Sequence, residues 1–184
     1  MKKILLICIF MLEYACAPLV CPGEKDIKSR YSEDVAPKSY KALVSLKYGI
    51  LKVPMYVEKD MGRYTLRSSQ TGTLLLEEGN LCINATCLDL PINPDGLIFG
   101  ALLLGDEKPT CSFGTIIFER DDQVYLRKYI FSNGELKKVE LTDKKRGKFV
   151  VLEYGQRTKE GYYKNVKVSI GDLSFFFNVD ELKR

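Results

Sequence analysis

The stretch Pro94-Asp95-Gly96-Leu97-Ile98-Phe99-Gly100-Ala101-Leu102-Leu103-Leu104-Gly105 decides how the rest of the chain is read. Once the N-terminus is set aside, it is the strongly apolar segment of helical length. Proline is tolerated in a first turn, and Asp95 suits the positive end of the helix dipole. Gly105 stops the run, so the pattern predicts a helix over 94–105. Leu97, Ile98, Ala101, Leu102 and Leu104 leave little polar face, and such a helix must be buried on most sides. What it covers is written in the segments around it.

From Lys41 onward the residues alternate between apolar and polar. Before the helix, Val44-Leu46-Tyr48, Val53-Met55-Val57, Tyr64-Leu66, Leu74-Leu76 and Leu81-Ile83 predict about five strands. Leu88 to Asn93 reads as a proline-punctuated connection. After the helix, strands are expected at Thr115–Glu119, Val124–Ile130, Leu136–Leu141, Phe149–Tyr154, Val166–Ile170 and Phe175–Val179. Ser132-Asn133-Gly134 is a strong hairpin signal, and short turns throughout imply antiparallel pairing. The fold class is therefore mainly β (α+β), with about eleven strands. A sheet that long curls rather than lying flat, so the expectation is a strongly curved half-open β-barrel covered by a short apolar helix. Its partly filled interior would suit an acyl chain.

The chain has 184 residues and a formal net charge of +4, with no histidine and no tryptophan. That length suits one domain with a real core. The absence of histidine removes the commonest general base, the Ser-His and Cys-His pairs and the usual zinc sets. Without a close carboxylate pair or a Gly-rich phosphate loop, no catalytic residue, metal or cofactor is expected, and the class is non-enzymatic. The basic residues are scattered, and the densest run, Lys144-Lys145-Arg146-Gly147-Lys148, reads as a turn, so nucleic acid is not an expected partner.

Met1-Lys2-Lys3 followed by apolar Ile4–Leu12 reads as a secretory signal over residues 1–15, too short to span a bilayer. Ala15-Cys16-Ala17 offers an A-x-A site, although cleavage there leaves a proline first. Leu12-Glu13-Tyr14-Ala15-Cys16 resembles a bacterial lipobox, which would make Cys16 lipidated and the first mature residue. Residues 16–40 are then a lipidated N-terminus and tether, with a helical turn or two around Glu24 to Tyr31, and residues 41–184 are the folded domain. Ala17, rather than Asp, after that cysteine implies the outer membrane, on its periplasmic face; without lipidation the protein would lie in the periplasm. Cys21, Cys82, Cys87 and Cys111 allow three disulfide connectivities. Cys82 and Cys87 would face each other across a hairpin, and that bridge is the expected one.

The order of these elements resembles the LolA/LolB superfamily of bacterial lipoprotein carriers. The likeness rests on the strand and loop Tyr64-Thr65-Leu66-Arg67-Ser68-Ser69-Gln70-Thr71-Gly72-Thr73, the apolar helix ending at Leu104-Gly105, and the closing strands Asn165-Val166-Lys167-Val168 and Phe175-Phe176-Phe177. The resemblance implies a cavity that holds lipid or the acyl chains of lipoproteins. It also implies membrane attachment through the N-terminal anchor and a periplasmic carrier protein as partner. The cavity lining is expected to be Leu46, Tyr48, Met55, Val57, Tyr64, Leu66, Leu74, Leu76, Leu97, Ile98, Phe118, Leu126, Ile130, Phe175 and Phe177. Each of these, taken singly, also suits an ordinary core. The alternative is a non-catalytic structural or interaction lipoprotein in envelope assembly with a packed interior, binding through an edge strand or an outer face bearing Tyr125, Tyr129, Tyr162 and Tyr163.

Overall fold

The computed structural model describes residues 21–68, 72–74, 76–77, 80–83, 86–89 and 92–184, and of residues 72–89 it describes the backbone. Helix α1 (Glu24–Tyr31) and a 3-10 turn (Glu33–Val35) lead into β1 (Tyr40–Tyr48), β2 (Leu51–Asp60), β3 (Arg63–Ser68) and β4 (Gly72–Leu74). Three short strands follow, β5 (Leu76–Glu77), β6 (Asn80–Ile83) and β7 (Thr86–Asp89), and then helix α2 (Pro94–Phe99). The second bank is β8 (Lys108–Ser112), β9 (Thr115–Asp121), β10 (Tyr125–Ser132), β11 (Glu135–Asp143), β12 (Phe149–Tyr154), β13 (Asn165–Ile170) and β14 (Leu173–Lys183).

Among the described residues, eleven strands make one antiparallel sheet in the order β4-β3-β2-β1-β14-β13-β12-β11-β10-β9-β8, while β5, β6 and β7 form a separate small sheet. The chain's first and last strands meet in the middle, where Leu46 lies opposite Phe177. The sheet curls but does not close, since β4 and β8 end it without pairing to each other. The expected half-open, mainly β architecture is therefore present. The count differs in three places. Strand β8 carries Pro109, which an edge strand tolerates because its outer N–H groups need no partner. The run through Leu74 and Leu76 is two strands in different sheets, and the connection expected from Leu88 begins inside β7.

The turns follow from backbone chemistry. Asn133 and Gly134 both have positive φ (51° and 77°), the geometry a two-residue hairpin needs. Gly49 takes the positive φ at the β1–β2 corner, leaving Ile50 as the second corner residue.

Two expectations about the helices are corrected. The apolar helix ends at Phe99 rather than Gly105, because Gly100 adopts a left-handed φ of 69° and its N–H returns to the carbonyls of Asp95 and Gly96. The Asn93 side chain caps the other end by accepting from the Gly96 amide at 2.8 Å. The segment around α1 is not a tether: Cys21, Ile27, Tyr31, Ala36 and Tyr40 are buried in the core. A few apolar or aromatic positions in a mostly polar run suffice, since each fully buried large side chain contributes roughly 1.5–3 kcal/mol.

A disulfide joins Cys21 to Cys111 across 90 residues of sequence, stapling the start of α1 to edge strand β8. Cys82 and Cys87 are register partners between β6 and β7, which suits their bridging, but their side chains lie outside the description. Cys16 also lies outside the described residues. Among the described residues no helix is long and apolar enough to cross a membrane.

Two consequences for stability follow. Cys111→Ser releases a constraint spanning 90 residues and should cost roughly 2–5 kcal/mol in urea unfolding. Gly100→Ala should cost at least about 1–2 kcal/mol, since the left-handed backbone is strained for alanine and its Cβ would sit 3.0 Å from the Tyr163 ring. A normal Tm for Gly100→Ala would contradict the cap assigned here.

Candidate functional site

Strand register decides which side chains face inward. Leu46 pairs with Val53, Val44 with Met55 and Ala42 with Val57, and these residues point to the concave face. The same face continues through Phe175, Phe177 and Val179 of β14, Val166 and Val168 of β13, and Val150, Leu152 and Tyr154 of β12. It ends with Val139, Leu141, Tyr129, Phe131, Phe118 and Ile116.

Most of the expected lining lies here. Leu46, Met55, Val57, Leu66, Leu97, Ile98, Phe118, Phe175 and Phe177 are buried, and Tyr64 is partly buried against them. Leu126 and Ile130 are corrected to the convex face. Tyr129 pairs with Val139 and Phe118, and this places the tyrosine inward and its neighbours outward. Alternation cannot choose between the two faces of Tyr125-Leu126-Arg127-Lys128-Tyr129-Ile130, because both carry apolar residues. Tyr48 is also corrected: it lies on the concave face but beyond the covered region, and is 54% exposed. Tyr129 and Tyr163, expected on an aromatic outer face, are buried. The side chains of Leu74 and Leu76 lie outside the description.

The interior is filled by the chain itself. Ile27 and Tyr31 from α1, Leu97, Ile98 and Phe99 from α2, and Ala101, Leu102 and Leu103 after it pack into the same core. Rings meet edge to face, Tyr31 with Phe131 at 4.9 Å, Tyr40 with Phe99 at 5.2 Å and Tyr154 with Tyr163 at 4.8 Å. Among the described residues, hollows border this core at two places. One, about 440 Å³, lies beside the disulfide between Pro22, Ile27, Phe113 and Ile116. The other, about 150 Å³, lies between Leu102, Leu104, Tyr129, Arg120 and Arg127. Neither of these two is walled by the expected lining residues, of which Leu46, Met55, Val57, Leu66, Phe118, Phe175 and Phe177 lie in the buried cluster with Leu97, Ile98 and Phe99.

Polar anchors hold that cover in place. The Asp95 carboxylate, in the first turn of α2, accepts from Lys59 Nζ at 2.5 Å and from the Tyr40 hydroxyl at 2.9 Å. All three side chains are buried. The Tyr154 hydroxyl donates to the Gly96 carbonyl at 2.9 Å, and the Tyr163 amide donates to the Ile98 carbonyl at 2.7 Å. Tyr163 OH also reaches Tyr31 OH and the Leu136 carbonyl, tying α1 to the same network. Sequence reasoning misses Lys59 although a signal exists: it continues the inward series Met55, Val57, Lys59, where a lysine requires a partner.

Burial is the largest influence on the hydroxyls of Tyr40, Tyr129, Tyr154 and Tyr163, pushing each well above the ordinary tyrosine range. They remain neutral hydrogen-bonding groups at any physiological pH. This is opposite to the tuning an acid–base catalyst needs.

The Asp95–Lys59 pair has a checkable energetic signature. Asp95→Leu alone strands a buried ammonium and should cost about 3–5 kcal/mol, whereas the double variant Lys59→Met/Asp95→Leu should recover most of that loss. Urea unfolding of both variants, set against Lys59→Met alone, measures the coupling. Additive effects would mean the pair is solvated.

No protein-family model matches the chain, and no curated protein matches it in sequence. Among solved structures, it is similar to the crystal structure of a LolA superfamily protein from Nitrosomonas europaea, at 12% identity and a TM-score of 0.51. The match covers 86% of this chain and 92% of that one. The likeness is one of architecture: a curved, unclosed antiparallel sheet with short helical cover is a LolA-like fold.

Proposed function

We propose that this protein is a non-catalytic lipoprotein of the bacterial envelope that takes up lipid, or the acyl chains of lipoproteins, on the concave face of its sheet. The observation that carries this reading is the nature of the cover. A largely apolar concave face is closed by two helices of eight and six residues, which add no strand to the sheet. Helix α1 is tied to β8 by the disulfide, but α2 is held to the sheet by side chains and a few hydrogen bonds and can be displaced without breaking strand pairing. An acyl chain entering beneath α2 replaces one apolar contact by another, so the exchange is nearly balanced in buried area.

In this reading Cys16 carries the lipid anchor at the periplasmic face of the outer membrane, and a periplasmic carrier protein is the partner that delivers or receives the cargo. Asp95, Lys59 and Tyr40 form the latch that must open. The LolA-like fold supports the reading, as does the absence of histidine from the whole chain. The burial of Leu46, Met55, Val57, Phe118 and Phe177 in one core cluster with Ile98 and Phe99 favours a second reading, a structural or interaction lipoprotein of envelope assembly.

The two readings separate in one experiment. Non-covalently held lipid is extracted from the folded full chain and identified by mass spectrometry, and binding of a fluorescent fatty acid is titrated. The carrier reading expects saturable uptake displaced by oleate, faster in the Lys59→Met/Asp95→Leu variant, whose latch lacks its charges. No lipid and no uptake in either protein would leave the packed scaffold.

A further inference from the structure

The two ends of the sheet differ, and the difference points outside the molecule. At one end lie the β2–β3 and β8–β9 turns, the disulfide and the Asp95 anchor, so the cover is stapled to the sheet at this end, beside the hollow at Phe113 and Ile116. At the other end lie the β1–β2, β9–β10, β11–β12 and β13–β14 turns. There the concave face runs past its cover. Tyr48 and Leu51 are register partners on that face, 54% and 63% exposed, and Ile50 at the corner between them is fully exposed. Leu173, on the same face at the β13–β14 corner, is 51% exposed. Strands β2, β1, β14 and β13 are consecutive in the sheet, so these residues form one apolar lip.

The lip has a charged border. Lys47 and Lys52 are paired across the β1–β2 hairpin, and the β11–β12 turn at the same end holds Lys144, Lys145, Arg146 and Lys148. Asp172 stands in the β13–β14 turn beside Leu173, and the other acids nearby are held by backbone amides or by bases of this border. Asp143 accepts from the Lys145 and Arg146 amides, Asp122 from the Val124 and Tyr125 amides and Arg127, and Asp121 from Lys144. Lys52 reaches Asp180 at 3.5 Å. Met61 and Phe113 are also exposed, but at the stapled end, on the β2–β3 and β8–β9 turns.

We infer that this lip is a docking surface for an anionic lipid bilayer. Exposed aliphatic and aromatic side chains at a hairpin corner, flanked by lysines, match the interface of a membrane with acidic headgroups: the apolar tip enters the acyl boundary while the ammonium groups remain at the phosphates. A protein partner of ordinary composition gives no reason for the basic border. The contact is independent of Cys16 and lies on the side of the fold away from the stapled end. It directs the open end of the concave face at the bilayer.

The chain has no tryptophan, so one can be placed as a reporter. Ile50→Trp and, at the opposite end, Met61→Trp change fully or largely exposed corner residues and leave the core intact. Each full-length variant is mixed with phosphatidylglycerol-containing vesicles and with pure phosphatidylcholine vesicles, some carrying brominated lipid. The docking surface requires the indole emission of the Ile50→Trp protein to shift blue and be quenched by brominated lipid in the anionic vesicles, with that of the Met61→Trp protein unchanged. Adding Lys144→Glu and Lys145→Glu to the Ile50→Trp protein should weaken its response about tenfold or more, and roughly 1 M salt should do the same. Equal quenching of the two reporters, a response indifferent to lipid charge, or no response from the Ile50→Trp protein overturns the inference. A blue shift of that protein seen only with a protein fraction assigns the lip to a protein partner and overturns it too.

Discussion

The structure depends on covering the apolar concave face of a sheet that does not close. Eleven strands satisfy one another's backbone groups, but their inward side chains would face water without a second layer. The cover comes from two helices too short to persist alone, since isolated helices under about 12–15 residues are marginal in water. Sheet and cover therefore form as one cooperative unit. Ile27 and Tyr31 at one side and Leu97, Ile98 and Phe99 at the other are the groups that fill the curl.

Within that cover, polar contacts supply position rather than bulk energy. Tyr31, Tyr154 and Tyr163 each bring a hydroxyl into the interior and satisfy it there, on another tyrosine or on a backbone group. The Asp95–Lys59 pair is more demanding. Desolvating two charges costs several kcal/mol each, and their attraction roughly offsets it, so the pair adds little net stability while defining where α2 must sit. A contact of this kind is well suited to a latch: it holds one geometry closely and stores little energy against opening.

The molecule is polarised along its strands. One end is bound by a disulfide, by the Asp95 anchor and by the Tyr154 contact to Gly96, while at the other the inward face outruns its cover. The cover is thus anchored unevenly along the strands, and where the staples fall sets which end of the concave face is exposed. Burial holds the hydroxyls of Tyr154 and Tyr163 neutral, so they act in this interior as hydrogen-bonding groups.

Much of this is legible in the chain itself. Alternation from Val44 to Val57 and from Val166 to Val179 specifies strands and their inward residues, because a period of two is a local property of extended backbone. Asn133-Gly134 specifies a turn for the same reason, as does the run of apolar residues after Pro94 for a buried segment. Other features are set only by the folded whole. Whether Leu126 or Tyr129 faces inward depends on pairing with Val139 on the next strand, and both choices satisfy alternation. Gly100 rather than Gly105 ends α2 because the chain must turn there to lie beside Tyr163 and Tyr31. Cys21 meets Cys111, and Lys59 meets Asp95, through the curl of the sheet across 90 and 36 residues. Sequence determines periodicity and turn chemistry, which act between neighbours; the partners of buried charges, cysteines and ambiguous strand faces are decided by distance in space, which exists only once the sheet has curled.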